Sequence, residues 1–111
     1  MAMGAGIEQQ VVMQARIGAD HPSLPGHFPG NPIVPGVVLL DEVVTAIASW
    51  RPGFVPAGFP AVKFLSPLRP DEAFTIRLQQ SAASVQFECV AGERLLARGS
   101  VAGRGQDSPR Q

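Results

Sequence analysis

The chain reads His27-Phe28-Pro29-Gly30-Asn31-Pro32-Ile33-Val34-Pro35-Gly36 and runs directly into Val37-Val38-Leu39-Leu40-Asp41-Glu42-Val43-Val44. Five prolines and three glycines lie between residues 22 and 36, so this stretch is too rigid for a flexible linker and too interrupted for regular structure. Because it leads into an apolar segment that should be buried, we interpret it as a loop that holds side chains in fixed positions. The two candidates for chemistry are the loop histidine, His27, and the first acid of the apolar segment, Asp41.

The apolar segment predicts a helix from about Pro35 to Trp50. Proline suits the first helical position, and Arg51-Pro52-Gly53 ends the pattern. Asp41 and Glu42 are the only charged residues in the helix, and a helix that is apolar nearly all round is normally buried in its own domain or against a partner. We therefore expect it to lie at the centre of the fold.

Strands are predicted on both sides of this helix. An imperfect alternation of apolar and polar residues favours a first strand over residues 7–17, and residues 54–60 are predicted as a turn-rich connection. A short turn is predicted at residues 68–72. The remaining strands are expected at residues 61–67, 73–79, 84–90 and 95–102.

Two of these strands alternate well enough to predict which residues enter the core. The inward residues share an apolar character and are Phe74, Ile76 and Leu78 in one strand and Val85, Phe87 and Cys89 in the next. The predicted fold class is α+β, with an antiparallel β-sheet wrapped around a central α-helix. We expect one domain over residues 8–102, a flexible N-terminus at 1–7 and a disordered tail at 103–111.

Length and charge exclude several classes of protein. A chain of 111 residues is long enough for one core and too short for two. Nine basic and nine acidic residues give a formal net charge of zero, which argues against a general binder of nucleic acid or membrane surfaces. Cys89 is the only cysteine, so no disulfide forms within the chain, and a cytoplasmic location fits. Neither a signal sequence nor a membrane span is predicted.

The segment from Gly26 to Val37, followed by Leu40-Asp41, resembles the active-site signature of the β-hydroxyacyl-acyl carrier protein dehydratases of the hotdog fold. The match consists of Gly-His-Phe-Pro-Gly, prolines five and eight residues after the histidine, a glycine nine residues after it and an acid fourteen residues after it. Residues 62–71 also resemble the strand that lines the acyl tunnel in that family. The acid here is aspartate, as in the branch that acts on medium chains and also isomerises the double bond, whereas the general dehydratases usually carry glutamate.

This resemblance implies a single hotdog domain that dehydrates 3-hydroxyacyl-acyl carrier protein thioesters to trans-2-enoyl thioesters, in fatty-acid, polyene or related acyl-chain biosynthesis. It implies as partners an acyl carrier protein with a phosphopantetheine-linked substrate and at least one further copy of the chain. In the hotdog relatives the histidine of one chain and the acid of the other share a site, which implies a homodimer or higher homo-oligomer.

The chemistry of His27 and Asp41 agrees with these roles. An imidazole titrates near pH ~6.5 and exchanges a proton at neutral pH, so His27 is assigned as the general base that removes the α-proton. A lone loop histidine is more often solvated, but the proline-rich frame favours the base. Asp41 is expected to be buried on one helical face, where desolvation would raise its pKa and let it protonate the departing hydroxyl. The other residues of that face are Val37, Leu40, Val44 and Thr45.

Asp41 also has a simpler interpretation, as a carboxylate favoured by the nearby helix N-terminus. Glu42, one step round the helix, is expected to be structural or exposed and serves as its comparison.

The helix is predicted to begin without a side-chain cap. No Ser, Thr, Asn or Asp stands at the expected cap position, so the first backbone N–H groups, those of Gly36 and Val37, have no side-chain acceptor in the sequence. They are free to bind an oxygen that gains negative charge, such as the thioester carbonyl, and the family's matching glycine has this role. The alternative is a glycine that merely eases the turn after Pro35.

Other residues are assigned more weakly. Phe28, Phe64 and Phe87 are candidates for lining an acyl tunnel, although each could equally be core. The cations Lys63, Arg69 and Arg51 could meet an acidic carrier protein or its phosphate, although a solvated surface role is favoured. Cys89 is expected in the core and His21 is given no role.

The sequence shows neither metal-ligand spacing nor a dinucleotide fingerprint, so no metal and no cofactor is expected. Two other functions stay open, a hotdog acyl thioesterase and a non-catalytic subunit that binds acyl carriers. The presence of both His27 and Asp41 argues against each of them.

Overall fold

A sheet of five antiparallel strands packs against a single long helix. The computed structural model describes residues 9–18, 20 and 33–104. The elements in chain order are β1 (Gln10–Ala15), α1 (Gly36–Trp50), β2 (Val55–Phe64), β3 (Phe74–Ser81), β4 (Ser84–Ala91) and β5 (Arg94–Arg104). The strand order is β1-β3-β4-β5-β2, so β1 and β2 form the two edges. The predicted α+β class is confirmed.

The core lies between α1 and one face of the sheet. The six predicted inward residues of β3 and β4 are each at most 2% exposed, which confirms the alternation read from the sequence. The helix contributes a buried side made of Val38, Leu39, Val43, Ala46 and Ile47. Apolar side chains from both layers thus form one continuous cluster.

The opposite side of α1 is not covered by the described part of the chain. Val37 is 72% exposed, and Asp41, Thr45 and Ala48 are also exposed. These four residues are spaced by three or four positions and therefore form one face, which we call the outward stripe. The helix is central to the fold, as predicted, but only half of its circumference is buried.

The prediction for β2 was wrong in its bounds. Residues 54–60 were expected to form a turn-rich connection, yet the strand begins at Val55 and ends at Phe64 instead of covering 61–67. Pro56 and Pro60 are tolerated because β2 is an edge strand. The pairing with β5 shifts register between Pro56 and Gly58 and again between Gly58 and Ala61. Such bulges accommodate an interrupted sequence within a strand.

The other bounds differ less. β1 covers Gln10–Ala15, within the predicted range, and β5 ends at Arg104 instead of at residue 102. In the described part of the chain, no helix is long and apolar enough to cross a membrane.

Candidate active site

The N-terminus of α1 has two backbone N–H groups that donate to no described residue. Pro35 is the N-cap residue and makes no side-chain capping hydrogen bond, as predicted. Its carbonyl accepts from the N–H of Val38 at 3.0 Å and from that of Leu39 at 3.3 Å. None of the described residues accepts a hydrogen bond from the N–H of Gly36 or Val37. Two donors at the positive end of the helix dipole are therefore available to an oxygen with developing negative charge.

Phe64 lies directly against Gly36. A Cβ atom built on Gly36 would come within 2.7 Å of the Phe64 Cζ atom and 2.9 Å of its Cε1 atom. The missing side chain was expected to admit a ligand, but in this chain it makes room for the phenyl ring. Phe64 ends β2 and is 52% exposed, so it borders the free N–H groups from the solvent side.

Asp41 lies one turn after Val37 on the outward stripe. The prediction that Asp41 is buried is wrong within a single chain, because its side chain is exposed. The reason is that this face of the helix points away from the sheet. Of the residues predicted to share the face with Asp41, Leu40 and Val44 are half-buried, and Val37 and Thr45 are exposed. Glu42, the comparison residue, is half-buried. The acid and the two free N–H groups thus share one end and one face of the helix.

The predicted base lies outside the described residues, as do Phe28 and His21. The chain on either side of this segment is described and is firmly held. The N–H of Val34, after the segment, donates to the Leu68 carbonyl at 2.8 Å, and the Ile17 carbonyl, before it, accepts from the N–H of Asp71 at 2.7 Å. Both bonds lead to the loop between β2 and β3.

An ion pair closes that loop onto the sheet. Arg94 Nη2 lies 2.9 Å from both Glu72 carboxylate oxygens and donates to the Pro67 carbonyl at 3.1 Å. The N–H of Arg69 donates to Glu72 Oε1 at 3.1 Å, and this bond, followed by Arg94, holds the pKa of Glu72 below its ordinary value against the opposing effect of partial burial. Sequence reasoning missed this group because Glu72 and Arg94 lie in separate turns and no local spacing rule links them.

The remaining predicted residues fall into separate places. Lys63 is exposed and, by strand alternation, points away from Phe64 to the outer face of the sheet. Arg51 stacks on Trp50 at 4.3 Å, at the opposite end of α1 from Gly36, about 20 Å away by helix rise. Arg69 is exposed beside Glu72. Cys89 is fully buried, and desolvation raises its pKa to about 12, so the prediction of an inert core residue is confirmed.

Comparison with known proteins identifies the family. The profile of the ApeI-like family, described as ApeI dehydratase, matches residues 5–100. The chain belongs to the ApeI-like dehydratase family. It is 31% identical over 108 residues to the 3-hydroxyacyl-[acyl-carrier-protein] dehydratase FabZ of Thermomicrobium roseum, covering 88% of this chain and 70% of that protein. The family predicted from the active-site signature is thereby confirmed.

Solved structures confirm the predicted hotdog fold. The dehydratase heterocomplex ApeI:P from Xenorhabdus doucetiae superposes with a TM-score of 0.78 at 21% identity, covering 86% of this chain and 88% of that one. The (R)-hydratase from A. caviae that is involved in PHA biosynthesis gives a TM-score of 0.72 at 17% identity, with coverages of 86% and 93%. At these identities the likeness concerns the fold, and the chemistry must be argued from the site.

Proposed function

We propose that this dehydratase removes water from 3-hydroxyacyl thioesters carried on an acyl carrier protein and releases trans-2-enoyl thioesters. The observation that carries the proposal is the shared end of α1, where the free N–H groups of Gly36 and Val37 lie one turn from the Asp41 carboxyl group. The curated relative with 31% identity is named for this reaction. Fatty-acid or related acyl-chain biosynthesis in the cytoplasm is the setting that fits such a substrate.

The reaction needs three groups in defined positions. His27 removes the proton from C2, and the electron pair moves towards the thioester carbonyl, whose oxygen gains negative charge. The N–H groups of Gly36 and Val37 donate to that oxygen. The electron pair then forms the C2–C3 double bond as the C3–O bond breaks, and protonated Asp41 supplies the proton that turns the leaving hydroxyl into water.

We propose that a second copy of the chain covers Asp41, because a general acid must carry a proton at neutral pH. A carboxyl group keeps its proton at this pH only when it is desolvated or placed beside another negative charge. The outward stripe and the edge strand β2 are the uncovered parts of this region. The exposed apolar residues there, each at least 38% exposed, are Val37 on the stripe, Val55, Phe59 and Phe64 in β2, and Leu65 directly after β2.

An open sheet edge with apolar side chains is a surface that pairs with another chain. A homodimer, or a higher homo-oligomer built from it, would bring His27 of one chain to Asp41 of the other. The heterocomplex named for the Xenorhabdus relative makes a different hotdog chain the alternative partner, and subunit composition in solution distinguishes the two.

The acyl carrier protein is the proposed second partner. Arg69 is an exposed cation near the proposed site, in the loop that follows Phe64, whereas Lys63 is exposed on the outer face of the sheet. Arg51 is too far from Gly36 along the helix to contact the same end of the site.

A direct assay tests the function. Purified protein is supplied with 3-hydroxyacyl-carrier-protein thioesters of several chain lengths, and enoyl absorbance and free thiol are recorded separately. We expect enoyl product and no free thiol. Thiol without enoyl product would instead indicate a thioesterase, and neither product would indicate a non-catalytic acyl-carrier-binding subunit.

A further inference from the structure

The loop between β2 and β3, residues 65–73, is joined to three other parts of the chain. The N–H groups of Leu65 and Ser66 donate to the Leu96 carbonyl at 2.8 and 3.2 Å, which fixes the loop to β5. Further along, Leu68 accepts from Val34 and Asp71 donates to Ile17. The same short loop therefore holds the residue two positions before Gly36 and the residue that follows β1 by two positions.

The Val34–Leu68 link lies in the interior, whereas the Asp71–Ile17 link joins a buried acceptor residue to the exposed Asp71. Leu68 and Ile17 are each 2% exposed and Val34 is 5% exposed. A backbone hydrogen bond between buried residues is shielded from competition by water, and leaving its groups unpaired is costly. The hydrogen bond from Val34 to Leu68 consequently fixes the direction of the backbone at Pro35. It thereby also fixes the orientation of the N–H groups of Gly36 and Val37, which follow Pro35.

The conformation of the loop is not the one its sequence would adopt most readily. Asp71 has a φ of 66°, in the left-handed region that non-glycine residues rarely occupy. Such a residue persists where surrounding contacts determine it. The contacts beside it are those of its neighbour Glu72, whose carboxylate accepts from Arg94 and from the N–H of Arg69.

We propose that Glu72 and Arg94 are positioning residues for the dehydration: their ion pair holds the β2–β3 loop in the shape that places Val34, and thereby aims the N–H groups of Gly36 and Val37 at the thioester oxygen. Arg94 reaches the loop at both ends, through Glu72 and through the Pro67 carbonyl. Neither side chain touches the substrate. This inference rests on the proposed function, because it assigns the two residues to that reaction.

The chain contains a matched control. Arg77 and Glu88 form the other ion pair among the described residues, at 3.6 Å across β3 and β4 on the outer face of the sheet. Both pairs are partly exposed, so each contributes little to stability. Removing either cation should therefore leave the thermal midpoint close to that of the parent. Only the Arg94 substitution should change the position of Val34 and of the first residues of α1.

Amide hydrogen exchange followed by NMR tests the mechanical part. In Arg94→Gln and in Glu72→Gln, we expect the amides of Val34 and Asp71 to exchange at least tenfold faster than in the parent. In Arg77→Gln they should exchange at the parental rate. Unchanged protection of Val34 and Asp71 in both loop variants would overturn the proposal.

Kinetics with a 3-hydroxyacyl thioester of a small thiol test the catalytic part, because this substrate removes carrier-protein docking from the measurement. We expect kcat to fall about tenfold in Arg94→Gln with KM near the parental value, since misplacing a donor by a fraction of an ångström affects the transition state more than binding. Arg77→Gln should keep the parental kcat. The double variant Glu72→Gln/Arg94→Gln should lose no more than Arg94→Gln alone, because the two side chains act as one unit.

Faster exchange with parental kcat would mean that the pair is only structural, and additive losses in the double variant would mean that the two residues act separately. Either result overturns the positioning role. A parent protein that forms no enoyl product would instead remove the proposed function, and the exchange rates would still show whether the ion pair holds the helix entry.

Discussion

The two sides of α1 meet very different surroundings. On the sheet side, Val43 and Ile47 are fully buried and pack into the core formed by β3 and β4. On the other side, Val37 is 72% exposed and Asp41, four residues later, is exposed as well. The sheet side of the helix is buried when one chain folds. The outward stripe begins with an apolar residue, Val37, and carries the proposed acid, and none of the described residues covers it.

This contrast separates stability from activity along a single helix. Residues on the sheet side should affect unfolding and leave the chemistry of a folded molecule intact. Residues on the outward stripe should affect the reaction and leave the unfolding of one chain nearly unchanged. The assignment of the site would be contradicted if substitutions on the sheet side abolished activity in a folded protein, or if substitutions on the outward stripe strongly lowered the stability of one chain.

The largest effect is expected for Asp41→Asn. Asparagine has nearly the same shape as aspartate but cannot deliver a proton, so kcat should fall by a factor of about 100 or more, the range for a lost general acid. Because asparagine keeps the shape of aspartate and Asp41 is not part of the core of one chain, the thermal midpoint should stay within about 2 °C of the parent. Steady-state assays and thermal unfolding provide the two measurements.

Glu42→Gln is the matched control for that experiment. Glu42 follows Asp41 directly in the helix, and its side chain is half-buried. It is not one of the residues of the outward stripe. It should keep the parental kcat. A loss as large as that of Asp41→Asn would mean that the acid had been assigned to the wrong face.

Ile47→Ala tests the opposite side. Ile47 is fully buried, so removing three carbons leaves a cavity and should lower the free energy of unfolding by about 2–5 kcal/mol. Thr45→Ala, on the outward stripe, should change it by less than about 0.5 kcal/mol. Chemical denaturation with a shared m value measures both. An equal cost at Thr45 would show that the stripe is packed in the folded protein, within one chain or against a second copy.

Much of this division could be predicted from the sequence. The alternation in Phe74-Thr75-Ile76-Arg77-Leu78 assigned the inward residues of β3 correctly, because a period of two leaves only one choice of face once the apolar side is known. The ends of the helix followed from Pro35 and from the Arg51-Pro52-Gly53 stop. The histidine-containing signature led to the family and to the fold.

The errors have a common origin in contacts between distant residues. The strand β2 was predicted too short because its prolines and glycine read as turn residues, while its edge position and its bulges against β5 are set by tertiary pairing. Asp41 was expected to be buried because the helix carries apolar residues on nearly all sides, so its sequence does not show which side faces away from the sheet. Two further contacts were not predicted. Phe64 packs on Gly36, 28 positions away, and Glu72 pairs with Arg94, 22 positions away, and patterns of neighbouring residues do not predict contacts over such separations.

Gly36→Ala tests the first residue of α1, which directly precedes the outward stripe. The new methyl group would collide with the Phe64 ring at 2.7 Å, and because the ring is 52% exposed it can swing away at little cost. Stability should therefore stay within about 1 kcal/mol, since alanine is also the better helix former. Activity should fall about tenfold, because the methyl group and the displaced ring crowd the N–H groups. Parental activity would mean that the oxygen does not bind there.

The smallest expected signal, a return to about one quarter of parental activity, tests what covers the outward stripe. His27→Ala and Asp41→Asn are each inactive if both groups are needed. If two copies share each site, a mixed dimer has one site with both groups and one with neither. Random exchange makes about half of the dimers mixed, and each regains one of its two sites, which gives about a quarter of the parental rate.

The outcome of this mixing experiment depends on proven exchange of subunits. Differently tagged chains, unfolded and refolded together, allow mixed dimers to be isolated and counted before the assay. Recovery near one quarter would show that Asp41 is covered by a second copy. If isolated mixed dimers stay inactive, the histidine and the acid belong to one chain, and the exposed stripe from Val37 to Ala48 must be covered in another way for Asp41 to hold its proton.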